Sequence, residues 1–207
     1  MDYKTHWSQV FQTKSPTDVS WYQENPRLSL DLIVQTGVAK SARIIDVGAG
    51  ASTLADNLLK LGYQNLTLLD ISAEALQTVR ERLGIQAEDI TWIADDITQA
   101  NFPEATYDVW HDRAVFHFLT TPEMRHRYIA QVRRALKIGG HIIVATFAVD
   151  GPEQCSGLTT NRYDAQSLHH IFGDDFELVA SLNENHITPW NTEQKFVYCY
   201  CQMKGSR

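Results

Sequence analysis

The sequence predicts an α/β fold in which a doubly wound, seven-stranded sheet carries helices on both faces. Apolar segments typical of strands alternate with helical patterns from about residue 26 onwards. This alternation requires crossover connections, which produce a mostly parallel sheet covered on both sides. No helical pattern separates the last two strands, so the last strand is expected to be antiparallel. The 207 residues are enough for a single domain, 1–207, with a sizeable core.

Seven strands are predicted from short apolar runs bounded by turn residues. In chain order they cover residues 43–46, 65–70, 90–94, 107–111, 141–147, 176–182 and 194–202. Helices are predicted where apolar residues recur at three- and four-residue spacing. They cover residues 27–38, 52–61, 72–83, 122–135 and 165–172. A turn is expected at 137–140, and loops at 148–163 and 183–193 are expected to lie beside a bound acceptor.

Local signals support several of these boundaries. Ser52 and Ser72 are typical N-cap residues, and Glu74 follows in the first turn of its helix, where the helix dipole favours a carboxylate. Gly62 is typical of a residue that ends a helix. The fifth strand is apolar almost throughout, as expected for a strand buried on both faces.

Bulk properties exclude several classes of protein. The net charge of −7 argues against nucleic acid or an anionic membrane as partner, because both need a basic face. No apolar run approaches the ~20 residues of a membrane span, and the N-terminus lacks the apolar core of a signal peptide. The three cysteines include Cys199 and Cys201, which are expected to point together into the sheet core. A reducing cytoplasm is therefore expected, and no metal site is predicted.

The run RIIDVGAGAS, from Arg43 to Ser52, is the most informative motif of the chain. It predicts a buried strand, then a glycine turn that opens a helix. A side chain at Gly48 or Gly50 would block a ligand bound at such a turn. Asp46 precedes the turn, and its carboxylate would repel a pyrophosphate but attract an ammonium group. The motif therefore favours S-adenosylmethionine, which carries no phosphate, over a dinucleotide.

Carboxylates also follow the second and third strands. Asp70 ends the second strand, where a carboxylate accepts hydrogen bonds from ribose hydroxyls, although NAD enzymes use the same device. Asp96 is predicted to accept from the adenine amine, with Ile71 and Ile97 on either side of the ring. The alternatives are a carboxylate favoured by a helix dipole at Asp70 and a polar turn without ligand at Asp96.

Taken together, these motifs resemble the class I S-adenosylmethionine-dependent methyltransferases, which have a Rossmann-like fold. The resemblance covers nearly the whole chain and includes LKIGGHIIV at 136–144, while the third glycine of a dinucleotide fingerprint is missing. It implies S-adenosylmethionine as cofactor. The implied cofactor-binding residues are Trp21, Asp46, Gly48, Ala49, Gly50, Asp70, Ile71, Asp96, Ile97 and His111.

Two segments resemble the thiopurine and tellurite-resistance type methyltransferases more loosely. DRAVFHFL at 112–119 is similar to their loop after the fourth strand, which borders the acceptor. His6, Trp7 and Phe11, followed by VSWY at 19–22, resemble their aromatic lid. The resemblance implies that residues 1–26 form a lid, with Trp21 and Tyr22 over the cofactor or acceptor.

Candidate acceptor and catalytic residues lie in four segments. Acceptor contacts are expected from Trp21, Tyr22, Arg113, Cys155, Arg162, His186 and Trp190. Catalytic roles are expected for His111, Asp112, Arg113 and His117. A histidine here would be a general base or, alternatively, a packing residue. The two arginines would bind an anionic acceptor or, alternatively, pair with carboxylates such as Asp112 and Asp164.

Three functions follow from these observations. The first is methyl transfer to a small molecule, with a thiol or chalcogen acceptor favoured because a thiolate needs little activation. The second is methylation of a protein lysine or N-terminal amine, although no Asn-Pro-Pro-Tyr type motif follows the fourth strand. The third is a cofactor-binding module without turnover.

Overall fold

The computed structural model describes residues 2–205 of the chain. The strands are β1 (Arg43–Val47), β2 (Asn65–Asp70), β3 (Thr91–Ala94), β4 (Tyr107–Arg113), β5 (Leu136–Phe147), β6 (Gln154–Cys155), β7 (Leu158–Thr159), β8 (Phe176–Ile187) and β9 (Glu193–Met203). The α-helices are α1 (Tyr3–Thr13), α2 (Arg27–Gln35), α3 (Leu54–Lys60), α4 (Ala73–Leu83), α5 (Pro122–Ala135) and α6 (Ala165–Phe172). Within residues 2–205, no helix is long and apolar enough to cross a membrane.

Seven strands form one sheet in the order β3–β2–β1–β4–β5–β9–β8. The pairs from β3 to β5 are parallel, whereas β9 is antiparallel to both of its neighbours. This confirms the predicted mostly parallel sheet with an antiparallel last strand. Because β1 lies between β2 and β4, the loops after these strands meet at one edge, where ligands bind in such sheets.

Each face of the sheet carries its own apolar core. One core packs α2, α3 and α4 against side chains such as Ile44 and Val109. The other packs α5 and α6 against side chains such as Ile45 and Trp110. Successive side chains of a strand point to opposite faces, so neighbouring residues of β1 and β4 enter different cores. Cys199 and Cys201 both lie buried in the second core, as predicted. Their sulfur atoms are 3.4 Å apart and do not form a disulfide.

Several helix boundaries follow the predicted signals. Ser72 is the N-cap of α4, and its Oγ accepts a hydrogen bond from the Ala75 N–H at 3.2 Å. α5 and α6 begin and end at the predicted residues. α3 begins two residues later than predicted, at Leu54, whose N–H donates to Ser52 Oγ.

Five of the strands are longer than predicted, β1 by only one residue and β9 by only one residue at each end. β4 continues through Asp112 and Arg113, because these charged residues have buried partners from distant parts of the chain. Residues 137–140 belong to β5 and do not form a separate turn; the register with β4 shifts here, and Gly139 has φ +76°. The predicted loop 183–193 was wrong for most of its length, since β8 extends to Ile187 and β9 begins at Glu193. The 148–163 segment contains the small β6–β7 hairpin.

Asp112 is predicted to stabilise the fold. It is fully buried and accepts hydrogen bonds from the Tyr128 hydroxyl at 2.8 Å and the Val115 N–H at 3.0 Å. The Asp112→Ala substitution leaves these donors unsatisfied, so we expect the free energy of unfolding to fall by roughly 3 kcal/mol. Urea denaturation measures this loss.

The exposed Asp175, paired with Arg133, is the matched control. Asp175→Ala should cost less than about 1 kcal/mol. Equal losses in the two variants would contradict a structural role for Asp112.

Candidate active site

The glycine loop after β1 has two glycines in left-handed conformations, with φ +68° at Gly48 and +51° at Gly50. A Cβ at Gly48 would collide with Cγ2 of Val115, so this glycine is required by the loop after β4. The packing of Val115 is thus a reason for this glycine that the sequence did not show, and Gly48 also lines both pockets described below. At Gly50 a Cβ would lie 3.2 Å from Phe11 Cζ and 3.8 Å from Asp70 Oδ2, and would fill the space facing a pocket.

Asp70 lies at the end of β2 and lines this pocket. Its two oxygens accept hydrogen bonds from the N–H groups of Gly50 and Ser72, both at 2.8 Å. Burial raises the pKa of Asp70 to about 6, although these hydrogen bonds act in the opposite direction. Each oxygen retains one lone pair for a ligand. Asp70 is therefore an oriented acceptor at the pocket wall.

Ile71, Asp96 and Ile97 line the same pocket, as the sequence predicted for an adenine site. The Asp96 carboxylate also accepts hydrogen bonds within its own turn, from the Thr98 N–H at 2.8 Å and from Gln99 Nε2 at 3.0 Å. These hydrogen bonds fix the turn and leave Asp96 oriented beside the pocket.

The pocket has a cavity volume of about 110 Å³. Its outer wall is aromatic. Tyr3, Trp7 and Phe11 recur every four residues on α1 and all line it. Trp7 is central, with its ring centroid 5.7 Å from that of Trp21 and 5.2 Å from that of Phe118.

This wall was only partly foreseen. Trp21 was predicted to contact the ligand, and Trp7 and Phe11 were predicted to belong to an aromatic lid, whereas Tyr3 was not assigned to the site. The four-residue spacing of Tyr3, Trp7 and Phe11 on one helix face was the signal available in the sequence.

Helix α1 is held over the pocket by Glu74, in the first turn of α4. The Glu74 carboxylate accepts hydrogen bonds from Ser8 Oγ at 2.7 Å and from Gln12 Nε2 at 3.1 Å. The bond from Ser8 is the main cause that lowers the pKa of Glu74 to about 2, followed by hydrogen bonds from the backbone of Glu74 and from Ser72, with a smaller contribution from Gln12. The carboxylate is therefore ionised at neutral pH and acts as a clasp between α1 and α4.

A second, smaller pocket meets the first at the glycine loop, and both are lined by Trp21, Gly48 and Arg113. Its floor is polar. Asp46 Oδ1 lies 2.7 Å from His111 Nδ1, and His111 Nε2 lies 2.9 Å from Ser29 Oγ. Two other predicted site residues, Ala49 and Tyr22, also line this second pocket.

Arg113 makes three hydrogen bonds within the protein. Its guanidinium donates to Glu184 at 3.3 Å, to the Tyr198 hydroxyl at 3.1 Å and to the Trp21 carbonyl at 3.1 Å. It also lies 4.3 Å from the centroid of the Phe196 ring. The ion-pair alternative is therefore the one observed, although the partner is Glu184 and not the predicted Asp112 or Asp164.

Two predicted catalytic residues lie outside both pockets. Asp112 points to the opposite face of the sheet, where Tyr128 donates to it, and burial raises its pKa to about 6. His117 is fully buried between Phe118 and Phe147, and burial lowers its pKa to about 3. His117 therefore stays neutral in the core, which argues against its proposed role as general base.

Most of the other predicted acceptor contacts are also elsewhere. Arg162 pairs with Glu153 at the surface, and Trp190 is 57% exposed in the turn between β8 and β9. His186 donates from Nε2 to the Ser20 carbonyl at 2.7 Å and so holds the segment before Trp21. Cys155 does line the main pocket, where burial raises its pKa to about 11 and keeps it a neutral thiol.

The donor set agrees with S-adenosylmethionine as ligand. Asp70 presents a carboxylate suited to a ribose, Ile71 and Ile97 present apolar surface suited to a ring, and Asp46 presents a carboxylate to the second pocket. The bare Gly50 leaves the space between Asp70 and Phe11 open.

Comparisons with known proteins show that the chain is similar to methyltransferases. A protein-family model described as a methyltransferase domain matches residues 44–140. The mouse protein described as eEF1A lysine and N-terminal methyltransferase is 28% identical over 149 residues, which cover 69% of this chain and 21% of the mouse protein. The chain thus spans about a fifth of the length of that relative.

Two solved structures share the fold. One, from work on the conversion of a disulfide bond into a thioacetal group during echinomycin biosynthesis, has a TM-score of 0.78 and 17% identity, covering 98% of this chain and 92% of that one. The other is Burkholderia thailandensis 1,6-didemethyltoxoflavin-N1-methyltransferase with bound S-adenosylhomocysteine, with a TM-score of 0.72, 18% identity, and coverage of 99% and 86%. The family match over residues 44–140, the strand order and the pocket residues support the resemblance of this chain to the class I S-adenosylmethionine-dependent methyltransferases.

Proposed function

We propose that this chain is a methyltransferase that transfers a methyl group from S-adenosylmethionine to a small-molecule acceptor, with a thiol favoured. The observation that carries the proposal is the continuous pocket that joins Asp70 to the aromatic wall of Trp7, Trp21 and Phe118. The clasp at Glu74 holds α1 across this pocket, so the acceptor would be enclosed. We further propose that residues 1–207 act as one domain, with residues 1–26 as its lid.

The proposed cofactor site uses residues that already point into the two pockets. Asp70 would accept from the ribose hydroxyls, and Asp96 from the adenine amine between Ile71 and Ile97. Asp46 would bind the ammonium group in the second pocket. When bound, S-adenosylmethionine supplies a methyl group activated by its sulfonium. The protein itself would align the acceptor and exclude water.

The chemistry of the pocket favours a nucleophile that needs no protein base. Among the described residues that line the main pocket there is no histidine, and Cys155 is a neutral thiol. The one arginine of that lining, Arg113, is paired with Glu184 and offers little charge to an oxyanion. A compact thiol, partly ionised in water near neutral pH, suits this surface better than a selenium or tellurium oxyanion.

A protein amine is the second candidate. The mouse relative described as an eEF1A lysine and N-terminal methyltransferase favours it. Asp70, Asp95 and Asp96 at the pocket would attract a cationic side chain. This function requires α1 to open far enough to admit a peptide.

Transfer of radioactive label distinguishes the two candidates. Purified protein is incubated with methyl-tritiated S-adenosylmethionine and, in separate reactions, with small thiols, selenium and tellurium oxyanions, small amines, or a desalted protein extract. Label in a thiol product supports the proposal. Label found only in a protein band would refute the small-molecule acceptor and support the amine function.

Asp70 is expected to control cofactor affinity. Asp70→Ala removes the acceptor for the ribose, so the affinity for S-adenosylhomocysteine should fall roughly 100-fold, the value of two hydrogen bonds to a charged group. Because the pKa of Asp70 is raised to about 6, wild-type affinity should also decrease as the pH falls through 6 and the carboxylate becomes protonated. Titration calorimetry at pH 5 to 8 measures both effects.

Asp175→Ala serves as the control, since Asp175 lines neither pocket. Unchanged affinity in Asp70→Ala, or affinity that does not depend on pH, would show that the ribose binds elsewhere.

The Glu74 clasp is expected to slow ligand release. Glu74→Ala removes the acceptor for Ser8 and Gln12, so S-adenosylhomocysteine should dissociate about fivefold faster, as the loss of one or two net hydrogen bonds implies. Stopped-flow measurement of tryptophan fluorescence suits this test because Trp7 and Trp21 line the pocket.

Glu81 is the matched control on the same helix. Within residues 2–205, the one side-chain hydrogen bond to its carboxylate comes from Gln77. If Glu74→Ala and Glu81→Ala release ligand at the same rate, α1 does not act as a lid.

A further inference from the structure

The floor of the second pocket contains a buried hydrogen-bond chain that joins the sheet to α2. Asp46 on β1 contacts His111 on β4 at 2.7 Å, and His111 contacts Ser29 on α2 at 2.9 Å. The three residues are only 5%, 3% and 1% exposed. Water therefore has little access, and the protons of this chain must be shared among protein groups.

The contact with Asp46 determines whether Nδ1 of His111 carries a proton. An ionised Asp46 carboxylate only accepts hydrogen bonds, so Nδ1 of His111 must carry a proton. The state of Nε2 then depends on Ser29. If the Ser29 hydroxyl donates to Nε2, the imidazole is neutral; if Nε2 donates to Ser29, it is a cation.

The distances favour donation from Ser29. Its hydroxyl lies 2.9 Å from His111 Nε2 and 3.4 Å from the Tyr198 hydroxyl, which is the other available acceptor. Tyr198 already accepts from Arg113 Nε at 3.1 Å and donates its own proton to Glu184 at 3.1 Å. The shorter and less crowded contact for the Ser29 proton is therefore Nε2.

The net charge around the His111 imidazole depends on whether the Ser29 hydroxyl donates its proton to Nε2. The charged and titratable groups that lie near it are Asp46 on β1, Asp112 and Arg113 on β4, Glu184 on β8 and Tyr198 on β9. Arg113 and Glu184 form an ion pair and offset each other, while Asp112 points to the opposite face. With a neutral His111, the charge of Asp46 has no compensating cation in this group.

We propose that Ser29 is a positioning residue whose hydroxyl holds His111 in the neutral Nδ1–H tautomer and so keeps the full negative charge of Asp46 available to the ammonium group of the cofactor. This role rests on the proposed function, because it takes S-adenosylmethionine as the ligand of the second pocket. In Ser29→Ala, Nε2 of His111 loses its hydrogen-bond donor, while Nδ1 keeps its contact with Asp46. A second proton on Nε2 turns the ring into a cation and cancels the attraction for the ammonium.

Nitrogen-15 NMR of the cofactor-free protein tests the tautomer directly, with the His111 signals assigned by their loss in His111→Gln. The wild type should show a neutral Nδ1–H imidazole at pH 7.5. In Ser29→Ala the ring should gain its second proton at a higher pH than in the wild type. A doubly protonated wild-type ring at pH 7.5, or identical titrations of the two proteins, would overturn the proposal.

Calorimetry with S-adenosylhomocysteine tests the consequence. Between pH 8.5 and 7.0 the wild-type dissociation constant should change less than about twofold, whereas that of Ser29→Ala should rise about tenfold, as expected for losing one ionic interaction. The control is Ser181→Ala, which removes a hydroxyl bonded to the Tyr198 carbonyl and should behave as wild type.

The outcomes distinguish a failure of the role of Ser29 from a failure of the proposed function. A Ser29→Ala protein with the wild-type pH dependence would refute the role of Ser29 alone. Wild-type protein that binds no S-adenosylhomocysteine at either pH would refute the proposed function, and this role with it.

Discussion

The adjacency of β1 and β4 is the constraint on which the site depends. In their parallel register Asp46 lies opposite His111, and Val47 lies opposite Asp112. Because side chains alternate between the faces, Asp46, His111 and Arg113 point towards α2 and α3, while Asp112 points towards α5. One strand thus supplies a pocket residue and a structural carboxylate at consecutive positions.

Buried charges are tolerated here because each has a partner supplied by another element. Glu184 on β8 neutralises Arg113 on β4, and Tyr198 on β9 bridges them. A buried charge left without its partner would cost several kcal/mol, of the order of 3–5. These contacts also hold the Trp21 carbonyl, so the same ion pair that satisfies Arg113 fixes the wall between the two pockets.

Helix α1 is held in place by different contacts from those of the rest of the fold. Within the described range, α1 has no buried residue, and it is held by polar contacts to Glu74 and by aromatic edges from Trp7 and Phe11. Segments with few buried apolar contacts open at lower free energy than a core does. A cover of this kind can close a reaction chamber against water and still release a product.

The sequence by itself determined the strand and helix order, the parallel sheet with its antiparallel last strand, and the set of carboxylates at Asp46, Asp70 and Asp96. These follow from local periodicity, from turn residues and from the rule that parallel strands share one ligand-binding edge. Only the tertiary structure decided that Asp112 and His117 are buried away from the pockets, that Arg113 pairs with Glu184, and that Gly48 makes room for Val115. Each of these depends on contacts between residues far apart in the chain, which periodicity does not encode.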